Sequence, residues 1–437
     1  MELILDKNKK KEHLYLEVFH YYRELIMEKK LPPGSRMPSL RKCSQELKLS
    51  RTTIENAYLQ LAAEGYIISK AQSGYYVTDI ADRQHTSVRK TEKHAQTPCR
   101  FDFASSGVDR ESFRFDLWRR YIKSALRQDE RLLSYGEPQG EADLRDTLAD
   151  YVRERSNGED IVIGAGIQSL LHILCPLLGQ RRTVSFPNPS FVQGSTVFHD
   201  YGFQVDCRNK DCDIIYVSPA HMTKWGDIMP VCRRLELVNY SASHGSLVIE
   251  DDFENEFVYL QKPTPSLFGL AGGQNVVYLG TFSRLLLPSI RISFMVLPPE
   301  LSALYRKKAD QYNQTASKAE QIALCQFIRD GHLAAQTRKL KRLYSVKLKS
   351  LRSAVREVFG KDSQIQTGAA GTSLALTLST TLTWQELQKK AQTNGLRLQL
   401  LREAPGKITL ILSCSSMPVA DFVPACKLLK DISQIQN

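Results

Sequence analysis

The chain has 437 residues, of which 42% are hydrophobic and 24% are charged, so it is long enough for two or three domains and can bury a large core. This composition excludes a mainly disordered chain, and the lack of any run of about 18 apolar residues without a charge excludes a membrane-spanning helix. The formal net charge of +12 favours anionic partners.

The nine cysteines are scattered along the chain and form no CxxC pair. They therefore predict neither a disulfide framework nor a metal site. The first thirteen residues contain only a short apolar stretch before a lysine run, which is not the pattern of a secretory signal. We expect a cytoplasmic protein with reduced thiols.

The first 78 residues are predicted to form three helices and a two-stranded hairpin, because apolar residues recur at spacings of three and four before two short β-rich runs. Ser39 and Ser50 precede the second and third helices as N-caps. This order of elements is that of a winged helix-turn-helix domain. The predicted elements are His13–Lys30, Leu40–Leu47, Arg51–Ala63, Tyr66–Lys70 and Tyr75–Thr78.

In such a domain, the N-terminal end of the third helix enters the major groove of double-stranded DNA. Arg51, Thr52 and Thr53 place a positive charge and two hydroxyls there, which suit phosphates and base edges. The alternative is a small helical domain whose arginines and serines only cap helices. The candidate DNA-binding residues are Arg36, Ser39, Arg41, Ser50, Arg51, Thr52, Thr53, Lys70 and Gly74.

The run MPSLRKCSQELKLSRTTIENAYLQLAAEGYIISKAQSGYYV closely resembles the DNA-binding domain of the GntR superfamily of bacterial transcription regulators. The likeness covers the start at Pro38, the Leu49–Thr53 segment, the Leu61–Tyr66 exit and the wing glycine Gly74. It implies sequence-dependent binding to operator DNA.

Residues 79–100 are polar, charged and without apolar periodicity, which predicts a linker. From residue 101 to 437, strand-like apolar runs alternate with helical segments, so we expect an α/β domain with a mainly parallel sheet. The predicted buried strands are Thr183–Phe186, Ile214–Ser218, Ser246–Glu250, Val276–Leu279 and Arg291–Leu297.

Several short motifs of this second region are weak alone and informative in their order. They are Tyr135–Gly140, Ile163–Gln168, Asn188-Pro189, Ser218–His221, Ile249–Phe253, Gly280–Arg284 and Arg291. Together they resemble the large domain of fold-type I aminotransferases, with a small α+β subdomain over about 301–437. Joined to the GntR-like head, the whole chain resembles a regulator of the MocR/GabR type.

This resemblance implies a pyridoxal phosphate pocket used as an effector sensor, and a head-to-tail homodimer. Asp251 matches the acid that pairs with the pyridinium nitrogen, and His221 matches the position beside the ring hydroxyl. Thr281, Ser283 and Arg291, with the backbone at Gly166, match the residues that hold the phosphate. The pocket positions are Gly166, Ile167, Phe191, His221, Asp251, Phe253, Thr281, Ser283, Arg284 and Arg291.

Position 284 departs from the family, because Arg284 stands where the Schiff-base lysine belongs. Forming an imine with the aldehyde requires a neutral primary amine. A guanidinium keeps its proton, with a pKa above about 12. We therefore expect no covalently bound cofactor and no transaminase activity.

Four more positions depart from the family pattern in the same direction. Phe253 and Phe191 replace tyrosines, and Gln193 replaces an arginine. The arginine that grips a substrate carboxylate is replaced by Ser416 or Ser415, which removes a charge-assisted contact worth about 1.5–3 kcal/mol.

Several hypotheses stay open at this point. Arg284 either pairs with Asp251 or a neighbouring acid as an internal strut, or binds an anion such as non-covalent pyridoxal phosphate or another phosphate or carboxylate. The protein as a whole is a regulator, an aminotransferase with an attached head that uses another lysine such as Lys224, or a regulator whose large domain is only a dimerisation scaffold. The basic stretch 331–360 is either a solvated helix face or a surface for DNA or an acidic partner.

Overall fold

The structure is a computed structural model that describes residues 11–71, 73–79, 99–105, 107–109, 111–152, 158–188, 191–258, 264–360 and 364–433. These residues form two compact units, one within residues 1–96 and one within residues 97–437. Most of the predicted linker, residues 80–98, lies outside the described residues.

The first unit is a winged helix-turn-helix, as predicted. Its core lies between the first and third helices, where Val18, Phe19, Ile54, Tyr58 and Leu61 are buried. The hairpin strands are antiparallel, with Ile67 opposite Val77. The elements are α1 (Lys11–Met27), α2 (Leu40–Leu47), α3 (Arg51–Ala63), β1 (Ile67–Lys70) and β2 (Gly74–Val77).

The larger part of the second unit is a seven-stranded sheet flanked by helices. Four neighbouring strand pairs are parallel, and only the strand Ser293–Val296 runs antiparallel to both of its neighbours. The predicted mainly parallel α/β sheet is therefore confirmed. In the order in which they lie, the strands are β4 (Ile161–Gly164), β10 (Ser293–Val296), β9 (Val276–Thr281), β8 (Leu247–Asp251), β7 (Ile214–Val217), β5 (Thr183–Phe186) and β6 (Gln204–Cys207).

The helices around this sheet bury apolar faces against it. They are α4 (Phe115–Ala125), α5 (Asp129–Leu132), α6 (Ala142–Val152), α7 (Ile167–Leu174), α8 (Val192–Asp200), α9 (Val231–His244), α10 (Leu267–Leu270), α11 (Pro299–Lys308), α12 (Lys318–Arg329) and the first half of α13 (His332–Phe359). Because the carboxyl ends of β5, β7, β8 and β9 meet at one edge of the sheet, the residues that follow these strands come together there.

The smaller part of the second unit is a four-stranded antiparallel sheet with its own core. Its strands lie in the order β11 (Gln364–Gln366), β12 (Ser373–Ser379), β15 (Lys407–Ser413), β14 (Gln399–Ala404), and a short parallel pair joins β3 (Phe101–Asp102) to β13 (Leu396–Arg397). The second half of α13, α14 (Trp384–Thr393) and α15 (Phe422–Ser433) cover it.

The predicted start of the small subdomain, at about residue 301, is too early. Leu301, Ile322 and Tyr344 are buried in the cores of the large sheet, whereas α13 begins to pack against the core of the small sheet only at the partly buried Leu348. Phe101 and Phe103 also belong to the small core. No helix among the described residues is long and apolar enough to cross a membrane.

Candidate functional site

The start of α3 is arranged by its cap. Ser50 accepts a hydrogen bond from the backbone N–H of Thr53 at 3.1 Å, and the Ser50 and Thr53 hydroxyls are 2.7 Å apart. These two hydroxyls therefore hold the helix end, while the side chains of Arg51 and Thr52 are exposed. Of the predicted groups on α3, these two are presented to solvent.

A second group of predicted residues lies at α2 and the wing. Ser39 caps α2 by accepting from Lys42 N at 3.2 Å, and Arg41 beside it is exposed. The guanidinium of Arg36 lies over Gly74, and the Lys70 ammonium lies 4.5 Å from the centre of the Tyr76 ring. The wing thus presents two cations on its surface.

The second candidate site is a cavity of about 470 Å³ at the carboxyl edge of the large sheet. All ten predicted pocket residues line it, although they come from widely separated segments. The lining also includes residues outside the predicted set. These are Phe186, Pro187, Asn188, Tyr216, Ser218, Pro288 and Ser293.

One end of the cavity is built for an anion. Gly166 has φ 99° and ψ 167° immediately before α7, a conformation open essentially only to glycine. A Cβ on Gly166 would overlap the guanidinium of Arg291. The hydroxyls of Thr281 and Ser283 lie 3.1 Å apart, and Ser293 Oγ donates to Thr281 Oγ1 at 2.9 Å. A cation, hydroxyls and a helix N-terminus together suit a phosphate.

Asp251 lies at the floor of the cavity and is buried. Tyr216 donates its hydroxyl to Asp251 Oδ2 at 2.7 Å, whereas Oδ1 has no hydrogen-bond partner among the described residues. Burial raises the pKa of Asp251 from 3.8 to about 6. An unsatisfied buried acceptor is costly unless a ligand supplies a donor, so Oδ1 is available to a hydrogen-bond donor in the cavity.

Arg284 makes an ion pair with Glu254, at 2.7 Å between Nη2 and Oε1. Its Nη1 also donates to the carbonyl of Gly107 at 3.2 Å. The side chain of Glu254 is 1% exposed and that of Arg284 14%. Of the two pairings left open by the sequence, the structure therefore places the neighbouring acid, and not Asp251, against the guanidinium.

His221 lines the cavity beside this pair. Its Nδ1 is 3.5 Å from Glu254 Oε2, and its ring meets Phe253 edge to face at 5.6 Å between ring centres. Burial lowers the pKa of His221 below its usual value, which favours the neutral ring. His221 can therefore donate or accept a hydrogen bond toward a ligand without adding charge.

Some predicted positions do not reach the cavity. Ser415 is buried, donates to Ser105 O at 3.0 Å and offers its own carbonyl to Lys347 Nζ at 3.1 Å. Neither Ser415 nor Ser416 lines the cavity, and neither does Lys224. Pro189 and the side chain of Gln193 lie outside the described residues.

Among the residues that sequence analysis did not predict, Glu254 and Tyr216 matter most, because they pair with the predicted residues Arg284 and Asp251. Glu254 adopts the left-handed conformation at φ 61°, which turns its side chain back under Arg284. Nothing in the local pattern distinguishes it from its acidic neighbours. Tyr216 lies on a wholly buried strand, and its polar hydroxyl there was a signal that a partner must be close.

Comparison with known proteins finds a matching family, similar sequences and similar structures. Residues 14–77 match the family described as bacterial regulatory proteins, gntR family. An uncharacterized HTH-type transcriptional regulator of Bacillus subtilis, YdeL, is 31% identical over 95% of this chain and 96% of its own length. The probable rhizopine catabolism regulatory protein MocR of Rhizobium meliloti is 26% identical over 89% of this chain and 86% of its own.

The solved structures show the fold of the second unit. LysN, the α-aminoadipate aminotransferase of Thermus thermophilus, covers 76% of this chain and 92% of its own, with a TM-score of 0.66 and 21% identity. At that identity the likeness establishes an aminotransferase fold and no activity.

Proposed function

This chain belongs to the GntR-family transcription regulators of the MocR/GabR type, and from that premise we propose that its aminotransferase-like unit is a non-catalytic sensor of a small anion. DNA binding resides in the winged head of such regulators. The observation that carries the proposal is the Arg284–Glu254 ion pair, set in a cavity that keeps an anion cradle.

The chemistry at position 284 argues against catalysis. In enzymes of this fold, pyridoxal phosphate would supply an electron sink to a substrate, and a lysine amine would hold the cofactor covalently when no substrate is bound. Arg284 carries a guanidinium in place of a primary amine, and this guanidinium is paired with the carboxylate of Glu254. The side chain can therefore neither attack an aldehyde nor carry a proton to and from a substrate carbon.

The remaining groups can still hold a ligand without a covalent bond. The cradle of Gly166, Thr281, Ser283 and Arg291 suits a phosphate, and Asp251 Oδ1 suits a ring N–H. Pyridoxal phosphate carries both groups, so it is the first ligand to test. Another phosphate or carboxylate would use the cradle alone.

A homodimer, head-to-tail as in the aminotransferases, completes the proposed function. Leu133 is 89% exposed and Tyr135 fully exposed on one protomer, and neighbouring exposed apolar residues mark interfaces. Two heads can then span two half-sites of an operator. A ligand alters DNA binding only if two dimer arrangements bind it with different affinity.

The test measures the melting temperature of the full-length protein with pyridoxal phosphate, with pyridoxine phosphate and with inorganic phosphate. A ligand that binds only the native state raises this temperature. We expect both pyridine phosphates to raise it, since the aldehyde is not needed. Borohydride treatment should leave the intact mass unchanged.

Two other outcomes would contradict parts of the proposal. A borohydride-fixed adduct on any lysine, Lys224 included, would contradict the non-catalytic proposal and favour the enzyme. No shift with any of the three compounds would contradict sensing of this anion class and favour a dimerisation scaffold.

A further inference from the structure

Helix α13 carries a row of cations along one face, which we name the basic stripe. It consists of Arg338, Arg342, Lys349, Arg352 and Arg356. With Ser345 in the one gap, the spacings alternate between four and three residues, so the positions lie above one another on the helix. From first to last the stripe is about 27 Å long, at about 1.5 Å per residue.

The stripe differs from the other cations of the same helix. Lys339 Nζ donates to the carbonyls of Glu111 and Ser112, and buried Lys347 pairs with Asp109. All five stripe residues are exposed, and no ion pair joins any of them to an acid within the described ranges. Glu357 is the only acidic residue of the helix.

Such a row is unfavourable for the helix itself. Like charges at spacings of three and four destabilise a helix by about 0.2–0.5 kcal/mol per pair. Interaction with the helix dipole compensates only in the last turn, at Arg356. An ordinary solvated face would intersperse acids, so the stripe favours a polyanion as its partner.

We propose that the basic stripe is a second DNA-binding surface, which contacts the phosphate backbone outside the site recognised by the winged head. A length of about 27 Å corresponds to about eight base-pair steps of a duplex. The head binds DNA on the same chain, so flanking duplex is present at high effective concentration. Four of the five residues are arginines, which bind phosphates well.

The test compares the full-length protein with the variant Arg342→Gln/Lys349→Gln/Arg352→Gln. The probes are two duplexes that carry an operator selected from random DNA by the wild-type protein, one of about 20 base pairs and one of about 60. The dissociation constant is measured over a series of salt concentrations. The matched control, Lys307→Gln/Lys308→Gln/Lys389→Gln, removes the same charge from other exposed sites.

On the long duplex, we expect the salt slope of the stripe variant to fall by about 2 to 3, at about 0.9 per phosphate contact. On the short duplex it should bind like the wild type, and the control should keep the wild-type slope on both.

An unchanged slope on the long duplex would overturn the proposal and favour an acidic protein as partner. An equal loss in the control variant, or an equal loss on both duplexes, would also overturn it. An equal loss in the control variant would mean that only the net charge matters. An equal loss on both duplexes would mean that the substitutions affect the winged head.

Discussion

The guanidinium of Arg284 and the carboxylate of Glu254 form a pair whose value depends on both partners being present. Removing two charges from water is costly, and close contact repays that cost only if neither is left alone. Through this pair, the buried acid Glu254 becomes part of the structure that supports the cavity residue Arg284.

Glu254→Gln should destabilise the protein by about 3 kcal/mol, because it leaves the Arg284 guanidinium without its carboxylate. The double variant Glu254→Gln/Arg284→Met should recover most of that loss, since no charge is then left unpaired. Urea unfolding of the second unit measures both. If Glu254→Gln is as stable as the wild type, the pair is not a strut.

Asp251 gives the cavity a pH dependence. Its pKa is raised from 3.8 to about 6 by burial. Between these two pH values the carboxyl group is therefore mostly protonated in the folded protein and mostly ionised in the unfolded chain. Stability from this group is therefore full below about pH 4, falls as the pH rises and is lost above about pH 6.

Asp251→Asn removes this dependence while keeping an acceptor for Tyr216. In the absence of ligand the variant should melt at a higher temperature than the wild type at about pH 7, and at the same temperature at about pH 4. Its response to pyridine phosphates should also fall to the level of its response to inorganic phosphate, since only the cradle contacts remain. Equal melting temperatures of wild type and variant at both pH values would contradict the burial of a charge at this position.

The turn before α7 joins a backbone conformation to a binding function. Gly166→Ala should cost about 1–3 kcal/mol through its φ and ψ alone, and it should displace Arg291 as well. The matched control is Gly179→Ala, where φ is also positive, at 63°, and no atom lies within 4 Å of the added Cβ. We expect both variants to be destabilised and only Gly166→Ala to lose stabilisation by phosphate compounds in a melting experiment. A retained phosphate response would place the cradle elsewhere.

Elements with strong local signals were predicted well from the sequence. Helix α3 begins after Ser50 and ends at Ala63, as predicted, because its cap and its apolar spacing are encoded within fourteen residues. The strand Thr183–Phe186 was also predicted to the residue, because a short apolar run bounded by polar residues and proline is a local signal.

Contacts between distant segments were beyond local patterns. Arg284 donates a hydrogen bond to Gly107, which lies 177 positions away in the sequence. Its acidic partner, Glu254, has a left-handed backbone conformation that the sequence does not reveal. The position of the antiparallel strand Ser293–Val296 between two others is likewise a property of the assembled sheet. The cavity residues could be predicted because the family resemblance names their positions. Their hydrogen-bond and ion-pair partners became known only from the structure.

For the whole molecule, the proposed function links sensing and DNA binding by thermodynamic reciprocity. If a ligand of the cavity changes the affinity for an operator by some factor, the operator changes the affinity for the ligand by the same factor. In the proposed dimer, this linkage arises when the ligand binds two arrangements of the protomers with different affinity. The proposal therefore predicts that binding to a full operator depends on dimerisation.

Exposed Leu133 and Tyr135 provide the means to test it. Leu133→Asp/Tyr135→Asp should weaken dimerisation at least about tenfold, equivalent to about 1.4 kcal/mol, because it places two charges in an apolar contact. Sedimentation equilibrium measures the change, and Val419→Asp, on another exposed apolar position, is the control.

The weakened dimer should lose affinity for a duplex with two half-sites and keep its affinity for a single half-site, since only the former needs both heads. Wild-type assembly in the double variant would place the dimer interface on another surface. Unchanged affinity for both duplexes would show that the heads bind independently of dimerisation.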